Sequence, residues 1–204
     1  MLRKFREWLE TEQSIWSIGE QQVSNGNLAE LIRLSAVKQT LKDGRIVEVR
    51  IATVDDIPDI VRIQELSYNG TAPWNATALE HEIKRNRRAL YLIASLESQT
   101  VAFVGTWFVE GEAHITNLAV VPTERQKGLA YYLLKEIEQL AEQQGMHQLS
   151  LEVRVSNATA QNLYRKLGFK AGKVKKGYYA GDHEDALEMS KPILRKRDIH
   201  GFNE

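Results

Sequence analysis

Residues 121–131 read VPTERQKGLAY, and this short stretch joins a predicted strand to a predicted helix. The strand ends at Pro122, and an apolar stripe at helical spacing follows over residues 126–144. Such a junction offers free backbone N–H groups and the positive end of a helix dipole to an anion. Gly128 lets a ligand approach the backbone closely, so the turn has the features of a pyrophosphate site. An ordinary strand-to-helix turn that contains a glycine is the alternative.

The hydrophobic pattern on both sides of this junction alternates between strand and helix periodicity. No Gly-x-Gly-x-x-Gly or Gly-x-x-x-x-Gly-Lys-Ser/Thr motif is present in the sequence, which disfavours a dinucleotide-binding fold and a P-loop. The order β-α-α-β-β-β-α-β-α-β-β predicts an α/β domain with a mixed sheet. Strands are predicted from residue 46 and over residues 90–96, 100–109, 113–121, 148–155, 169–179 and 183–191, and helices over residues 53–66, 76–88, 126–144 and 157–166.

The first 45 residues carry two apolar stripes at helical spacing, separated by a polar break at residues 24–27. We therefore expect a helical N-terminal extension over residues 1–45, a main domain over residues 46–193 and a polar tail over residues 194–204. The extension is interpreted as amphipathic helices packed on the core or on a partner. A dedicated binding arm is the alternative.

The composition limits the class of protein. The chain has 204 residues, of which 43% are hydrophobic and 26% charged, as in a globular domain. Lysine plus arginine equals aspartate plus glutamate at 27 each, which argues against a broadly basic DNA-binding protein. Without cysteine, a disulfide scaffold, a thiolate zinc site and a cysteine nucleophile are excluded. No apolar run reaches the roughly 18 residues that cross a bilayer, so we expect a soluble, cytoplasmic protein without membrane contact.

A second informative stretch, LSLEVRVSNATAQNLYRKLGF, covers residues 149–169. Glu152 lies near the C-terminal end of a predicted strand, where open α/β sheets often place ligand chemistry. Ser156 or Asn157 can cap the short helix that follows, and Tyr164 lies two turns beyond Asn157. Taken alone, Glu152 also fits a solvent-facing strand residue, and Tyr164 fits a half-buried core aromatic.

The histidines point less clearly to chemistry. His183-Glu184-Asp185 lacks the His-x-x-x-His spacing of a helical metal site and is interpreted as part of a polar loop or strand. His114 lies on a strand close to the proposed cleft. It is interpreted as a partly buried structural histidine, with substrate contact as the alternative.

Residues 46–193 resemble the GCN5-related N-acetyltransferase (GNAT) superfamily. The resemblance rests on NLAVVPTERQKGLAYYLL at residues 117–134, on residues 149–169 and on HEDALEMSKPI at residues 183–193. Together with Pro73-Trp74, these segments are most similar to bacterial ribosomal-protein-alanine N-acetyltransferases. The resemblance implies the GNAT fold, with a central mixed, mostly antiparallel sheet flanked by helices and, here, an N-terminal helical extension.

The same resemblance implies roles for individual residues. Glu152 would be the general base and Tyr164 the general acid, and Trp74, Tyr178 and Tyr179 would face the acceptor. Acetyl-CoA would be the cosubstrate, and no metal is expected. The expected acetyl-CoA contacts are Leu118, Ala119 and Val120 along the strand, Arg125, Gln126, Lys127, Gly128, Leu129 and Ala130 around the pyrophosphate, and Asn157 from the other side of the sheet.

The resemblance further implies direct acetyl transfer, through a ternary complex, to the N-terminal alanine of a ribosomal protein. An α-amine with a pKa of about 7.7–8.0 loses its proton more readily than a lysine at about 10.4. The acceptor is left open by Tyr178-Tyr179-Ala180, which departs from the family's Tyr-Tyr-Pro. The alternatives are a lysine or small-molecule amine as acceptor, and a coenzyme-A-binding sensor without turnover. The sequence gives no oligomeric state.

Overall fold

The structure is a computed structural model, and it describes residues 27–34, 38–68, 70 and 72–193. The helices are α1 (Leu28–Leu31), α2 (Ile57–Ser67), α3 (Ala76–Lys84), α4 (Leu129–Gln143) and α5 (Ala158–Lys166), with 3-10 turns at Val54–Asp56 and Pro122–Glu124. The strands are β1 (Lys38–Thr40), β2 (Ile46–Ile51), β3 (Ala89–Leu96), β4 (Gln99–Val109), β5 (Glu112–Val120), β6 (Gln148–Arg154), β7 (Lys170–Lys175) and β8 (Ala186–Pro192).

These eight strands form one sheet in the order β1-β2-β3-β4-β5-β6-β8-β7. All neighbouring strands are antiparallel except β5 and β6, which run parallel. The predicted mixed, mostly antiparallel sheet with flanking helices is therefore confirmed. Consecutive residues of β3 and β4 are buried although their side chains alternate between the two faces. Both faces of the central sheet are thus covered, and α2 and α4 both pack against β4 and β5.

The parallel pair β5 and β6 is joined over only part of its length. Residues 112–115 pair with residues 148–151, whereas β5 continues to Val120 and β6 to Arg154. Beyond Ile115 and Leu151 the two strands separate, while β5 stays paired with β4 and β6 with β8. The sheet is therefore split between β5 and β6 at their C-terminal ends, and the split leaves this part of β5 without a strand partner on that side.

The N-terminal prediction is wrong in part. Residues 38–40 form strand β1, paired antiparallel with β2, instead of a helix. The turn at Asp43-Gly44 reverses the chain between them, and Leu41 is buried in the core. Helix α1 has only four residues, and its Asn27 cap accepts a hydrogen bond from the backbone N–H of Ala29. The predicted helices in residues 1–26 and the predicted tail at 194–204 lie outside the described residues.

Two further boundaries differ from the predicted ones. Helix α4 begins at Leu129 rather than at residue 126, because Gln126 and Gly128 have left-handed backbone angles that a helix cannot contain. Strands β7 and β8 are separated by a loop over residues 176–185, part of which was predicted as strand. Among the described residues, no helix is both long and apolar enough to span a membrane.

Candidate active site

The split between β5 and β6 exposes the backbone of β5. The N–H of Val121 donates to the carbonyl of Val101 on the adjacent β4 side. Because backbone direction alternates along a strand, the groups of Leu118 and Val120 point to the opposite side, into the split. The Val120 carbonyl there accepts from Ser67 Oγ at 3.3 Å and from Arg125 Nε at 3.1 Å. By the same alternation the backbone of Ala119 faces β4, so its predicted ligand contact can come only from its side chain.

The turn between β5 and α4 has left-handed residues where the sequence predicts a pyrophosphate site. Gln126 has φ of 63° and Gly128, at the helix N-cap, has φ of 96°. Left-handed residues in a turn direct successive N–H groups to one side, an arrangement that binds anions. A Cβ built at Gly128 would have no heavy atom within 4 Å, so the space above this residue is open. The first N–H groups of α4, at Leu129 and Ala130, face the same end of the helix.

The two cations of this turn are already engaged. Arg125 reaches back to the carbonyls of Val120 and Ser67, and Lys127 Nζ lies 3.2 Å from Glu124 Oε2. Glu124 also accepts from Arg45 at 2.6 Å. Arg45, and after it Lys127, holds the pKa of Glu124 below its usual value. The binding of a pyrophosphate at this turn would therefore depend more on backbone N–H groups than the sequence suggests.

Asn157 acts as the N-cap of α5, as predicted. Its Oδ1 accepts from the N–H of Ala160 at 3.0 Å, and the residue is exposed. The side-chain oxygen is thus committed to the cap, and the amide NH₂ is the part of Asn157 that could contact a ligand.

Glu152 lies at the point where the parallel pairing ends. Its side chain is only 5% exposed, which excludes the solvent-facing alternative. One carboxylate oxygen accepts from Lys175 Nζ at 2.6 Å, and the other lies 3.1 Å from His114 Nε2. Burial works to lower the pKa of Lys175, but the hydrogen bonds and charges of Glu152 and Glu188 together outweigh burial, and the pKa is raised. A buried carboxylate between an ammonium and an imidazole is a suitable acceptor for a proton.

His114 was interpreted from the sequence as a structural histidine, but in the structure it contacts Glu152 directly. The register pairs His114 with Ser150, and their side chains meet at 2.7 Å between Nδ1 and Oγ. Glu112 and Glu152 lie two residues away on the same two strands, so all four side chains occupy one face of the sheet. Ser150 in turn donates to Glu112. The sequence placed His114 near the cleft, but the contact with Glu152 depends on the strand register.

The predicted acceptor residues meet at one pocket. Trp74, Tyr178 and Tyr179 line it together with Glu152, although they come from three separate segments of the chain. The lining also includes Trp107, His114, Ile115 and Thr116. Trp107 was read only as part of an apolar strand. Its ring packs edge-on against Trp74 at 6.3 Å, and its Nε1 donates to the buried carboxylate of Glu82.

The loop that brings the tyrosines to the pocket is held by carboxylates. Glu184 accepts from Arg154 Nη1 at 2.6 Å and from the N–H of Ser156 at 2.9 Å. The hydrogen bonds from Ser156, and then Arg154, lower the pKa of Glu184 to about 2. The Arg154 guanidinium also lies 4.0 Å above the ring of Tyr179. The His183-Glu184-Asp185 motif therefore includes a structural anchor for the loop.

Tyr164 is buried in α5 and packs against Phe169, with ring centroids 5.8 Å apart. Burial raises the pKa of its hydroxyl well above the usual value, and Tyr68 and Tyr179 add to this shift. The hydroxyl consequently stays protonated at neutral pH. Tyr164 is not among the residues that line the pocket around Glu152.

Comparison with known proteins extends these observations. A family model described as "Acetyltransferase (GNAT) family" matches residues 57–169. A putative [ribosomal protein bS18]-alanine N-acetyltransferase of Bacillus subtilis is 37% identical over 141 residues, covering 69% of this chain and 92% of that protein. An N-alpha-acetyltransferase of Saccharolobus solfataricus is 33% identical over 163 residues, covering 74% of this chain and 95% of that protein.

Solved structures show the same fold. The ribosomal-protein-S18-alanine N-acetyltransferase from Escherichia coli superposes with a TM-score of 0.65 and 30% identity, over 72% of this chain and 94% of that one. An N-acetyltransferase from Thermoplasma acidophilum was solved in complex with coenzyme A. It superposes with a TM-score of 0.62 at 21% identity, over 72% of this chain and 98% of that one.

Proposed function

The chain belongs to the acetyltransferase (GNAT) family, and from this membership we propose that it transfers an acetyl group from acetyl-CoA to the N-terminal α-amine of a protein. The observation that supports this most directly is the position of the pocket. Glu152, Trp74, Tyr178 and Tyr179 line it, and it adjoins the split between β5 and β6. An amine in the pocket would meet a thioester bound along β5.

The residues of the split and the turn fit acetyl-CoA as the cosubstrate. The backbone of Leu118 and Val120 faces the split and can meet an extended pantetheine chain, although their carbonyls already accept from Tyr68, Ser67 and Arg125. The left-handed turn at Gly128 offers N–H groups for the pyrophosphate. Asn157 would add its amide NH₂ from the opposite wall. When bound, acetyl-CoA supplies the activated acetyl thioester, and the protein supplies binding, orientation and proton transfer.

Glu152 is proposed as the general base. An incoming ammonium loses one proton to the carboxylate, directly or through a water molecule, and the neutral amine then attacks the thioester carbonyl. The N–H of Val120 can stabilise the negative charge that develops on the carbonyl oxygen. Direct attack requires no covalent enzyme intermediate, in keeping with a chain without cysteine.

Tyr164 is proposed as the general acid for the departing sulfur. Its raised pKa keeps the hydroxyl protonated, so it is available as a donor. A free thiol has a pKa of about 8.5, below that of this tyrosine. Tyr164 donates a hydrogen bond to the sulfur as the carbon–sulfur bond breaks and passes its proton to it. The second amine proton, lost after the carbon–nitrogen bond has formed, restores the tyrosine through solvent, so the products are the acetylated amine and the thiol of coenzyme A.

The ionisation of the acceptor favours an α-amine over a lysine side chain, because the α-amine is neutral far more often near neutral pH. At pH 7.5 about a third of an α-amine is neutral, against about one lysine in a thousand. The names of the relatives then suggest the N-terminal alanine of a ribosomal protein, which would place the enzyme in the cytoplasm.

A peptide panel tests this proposal. Peptides beginning with Ala, Ser or Met, each with internal lysines and with a free or blocked N-terminus, are incubated with the protein and acetyl-CoA and analysed by mass spectrometry. Acetylation of the free α-amine of the alanine peptide, absent from the blocked peptide, is the expected result. Label on lysine would assign a different acceptor. Tight acetyl-CoA binding without any label would support a small-molecule acceptor or a sensor.

A further inference from the structure

A chain of polar side chains leads from the surface to Glu152 along the parallel strands. Glu112, with a side chain 40% exposed, accepts from the Ser150 hydroxyl. Ser150 Oγ lies 2.7 Å from Nδ1 of His114, and Nε2 of the same ring lies 3.1 Å from Glu152. Neither Glu112 nor Ser150 touches the pocket itself. Any effect of these two residues on the reaction must therefore act through the imidazole.

The hydrogen-bond donors available among Glu112, Ser150 and His114 determine which ring nitrogen of the neutral histidine carries the proton. A serine hydroxyl has one proton, and a carboxylate has none to give. When Ser150 donates its proton to Glu112, its oxygen can only accept from the imidazole. Nδ1 of His114 must then be the protonated nitrogen, since the hydrogen bond at one ring nitrogen decides the state of the other.

The consequence appears at the opposite ring nitrogen. In the neutral Nδ1–H tautomer, Nε2 presents a lone pair toward Glu152, which also has only lone pairs to offer. Two acceptors 3.1 Å apart are satisfied when one proton lies between them. The pair is thus arranged to take up a single proton, such as the one that an acceptor amine must lose.

We propose that Glu112 and Ser150 are positioning residues that hold His114 in the Nδ1–H tautomer, so that His114 and Glu152 together accept the amine proton. The proton moves from the amine nitrogen to the space between Nε2 and the Glu152 carboxylate, and it leaves to solvent after the product departs. This inference rests on the proposed function. Without Glu112, the Ser150 proton is free to turn toward Nδ1, and the other tautomer becomes available.

The experiment reads the tautomer directly. Nitrogen-15 NMR of histidine side chains is recorded on the full-length protein between pH 6 and 9, with His114 assigned by comparison with His114→Asn among the five histidines. The other charged groups that face the ring and Glu152 are Glu112, Lys175 and Glu188. We expect Nδ1 to keep its proton when the ring is neutral. A neutral ring protonated at Nε2 overturns the proposal.

Two variants complete the test. Glu112→Ala is expected to shift the neutral ring toward the Nε2–H form and to lower kcat about tenfold, with KM for acetyl-CoA unchanged. Glu110→Ala, which removes an exposed carboxylate from the neighbouring turn, serves as the matched control and should change neither. An unchanged tautomer in Glu112→Ala contradicts the proposal. The NMR result does not depend on the acceptor. Failure of the peptide assay alone would therefore challenge the proposed function, and with it the role of the pair as acceptor of the amine proton, but not the tautomer held by Glu112 and Ser150.

Discussion

At the scale of single residues, the site depends on how buried polar groups are partnered. Glu152 is nearly inaccessible and has a cation on one oxygen and an imidazole on the other. A lone buried carboxylate would be costly to ionise, whereas this one is compensated by Lys175. The same ammonium also contacts Glu188 on β8, so the two carboxylates bound to one lysine can be compared.

Glu152→Gln should lower kcat at least about a hundredfold while leaving the affinity for acetyl-CoA nearly unchanged, because the amide cannot accept the amine proton. Glu188→Gln removes a carboxylate from the same lysine, 3.1 Å away, and should have a much smaller effect on kcat. Steady-state kinetics and calorimetric titration of acetyl-CoA would measure both. Full turnover in Glu152→Gln at neutral pH would reject the base assignment.

Tyr164→Phe should reduce kcat about tenfold or more with little change in melting temperature, since phenylalanine preserves the packing on Phe169 and removes only the hydroxyl. Tyr131→Phe, at an exposed position on α4, is the control. If both variants kept wild-type kcat, Tyr164 would be a core aromatic and nothing more.

At the scale of elements, the turn between β5 and α4 was predicted well from the sequence, with two corrections. The glycine and the strand end were visible in the sequence, whereas the helix begins at Leu129 and not at residue 126. The engagement of Arg125 and Lys127 was not visible, because their partners Ser67, Glu124 and Val120 are brought to them by the fold. A lysine or arginine in a sequence motif is available to a ligand only when the fold does not already pair it with another group.

Gly128→Ala should weaken coenzyme A binding by up to about tenfold, because a left-handed alanine costs roughly 1–2 kcal/mol and the turn would relax away from this conformation. Gly44→Ala is a matched control. It has φ of 86°, against 96° at Gly128, and both positions have open space around the added Cβ. Calorimetric titration should show unchanged affinity in Gly44→Ala. Equal weakening in both variants would mean that the strain acts on global stability.

At the scale of the whole molecule, the core extends further toward the N-terminus than the predicted domain boundary at residue 46. Ile32 and Leu41 belong to the buried cluster, and β1 forms the edge of the sheet. A truncation to residue 46 would therefore remove part of the core. The short helix α1 has no fully buried residue of its own and is too short to be stable alone, so it depends on the packing of Leu28 and Ala29 against this core.

Ile32→Ala should lower the free energy of unfolding by about 2–5 kcal/mol, as expected for a large-to-small change in a packed core. Leu31→Ala, one residue earlier and 50% exposed, should change it by less than about 1 kcal/mol. Urea denaturation would compare them. Similar stability of both variants would show that this segment is not part of the cooperative unit.

The melting temperature at low pH should depend on how Glu184 anchors the loop of residues 176–185. The pKa of Glu184 is lowered in the fold to about 2, so its contribution is complete above its ordinary value near 4.5 and is lost as the pH falls toward 2. The melting temperature of Glu184→Gln should lie below that of the unmodified protein at pH 7, and the difference should disappear by about pH 2. A difference independent of pH would contradict this.

The sequence by itself determined the fold class, the order of most elements and the residue types at the turn and on β6, because periodicity and motif spacing are local properties. It could not determine which side chains meet. The contact of His114 with Glu152 follows from the register of two strands that lie more than thirty residues apart, and the role of Trp107 follows from packing across the sheet. Strand β1 was missed because three exposed residues have no strand signal of their own. Their pairing with β2 is a tertiary interaction, and only the folded chain provides it.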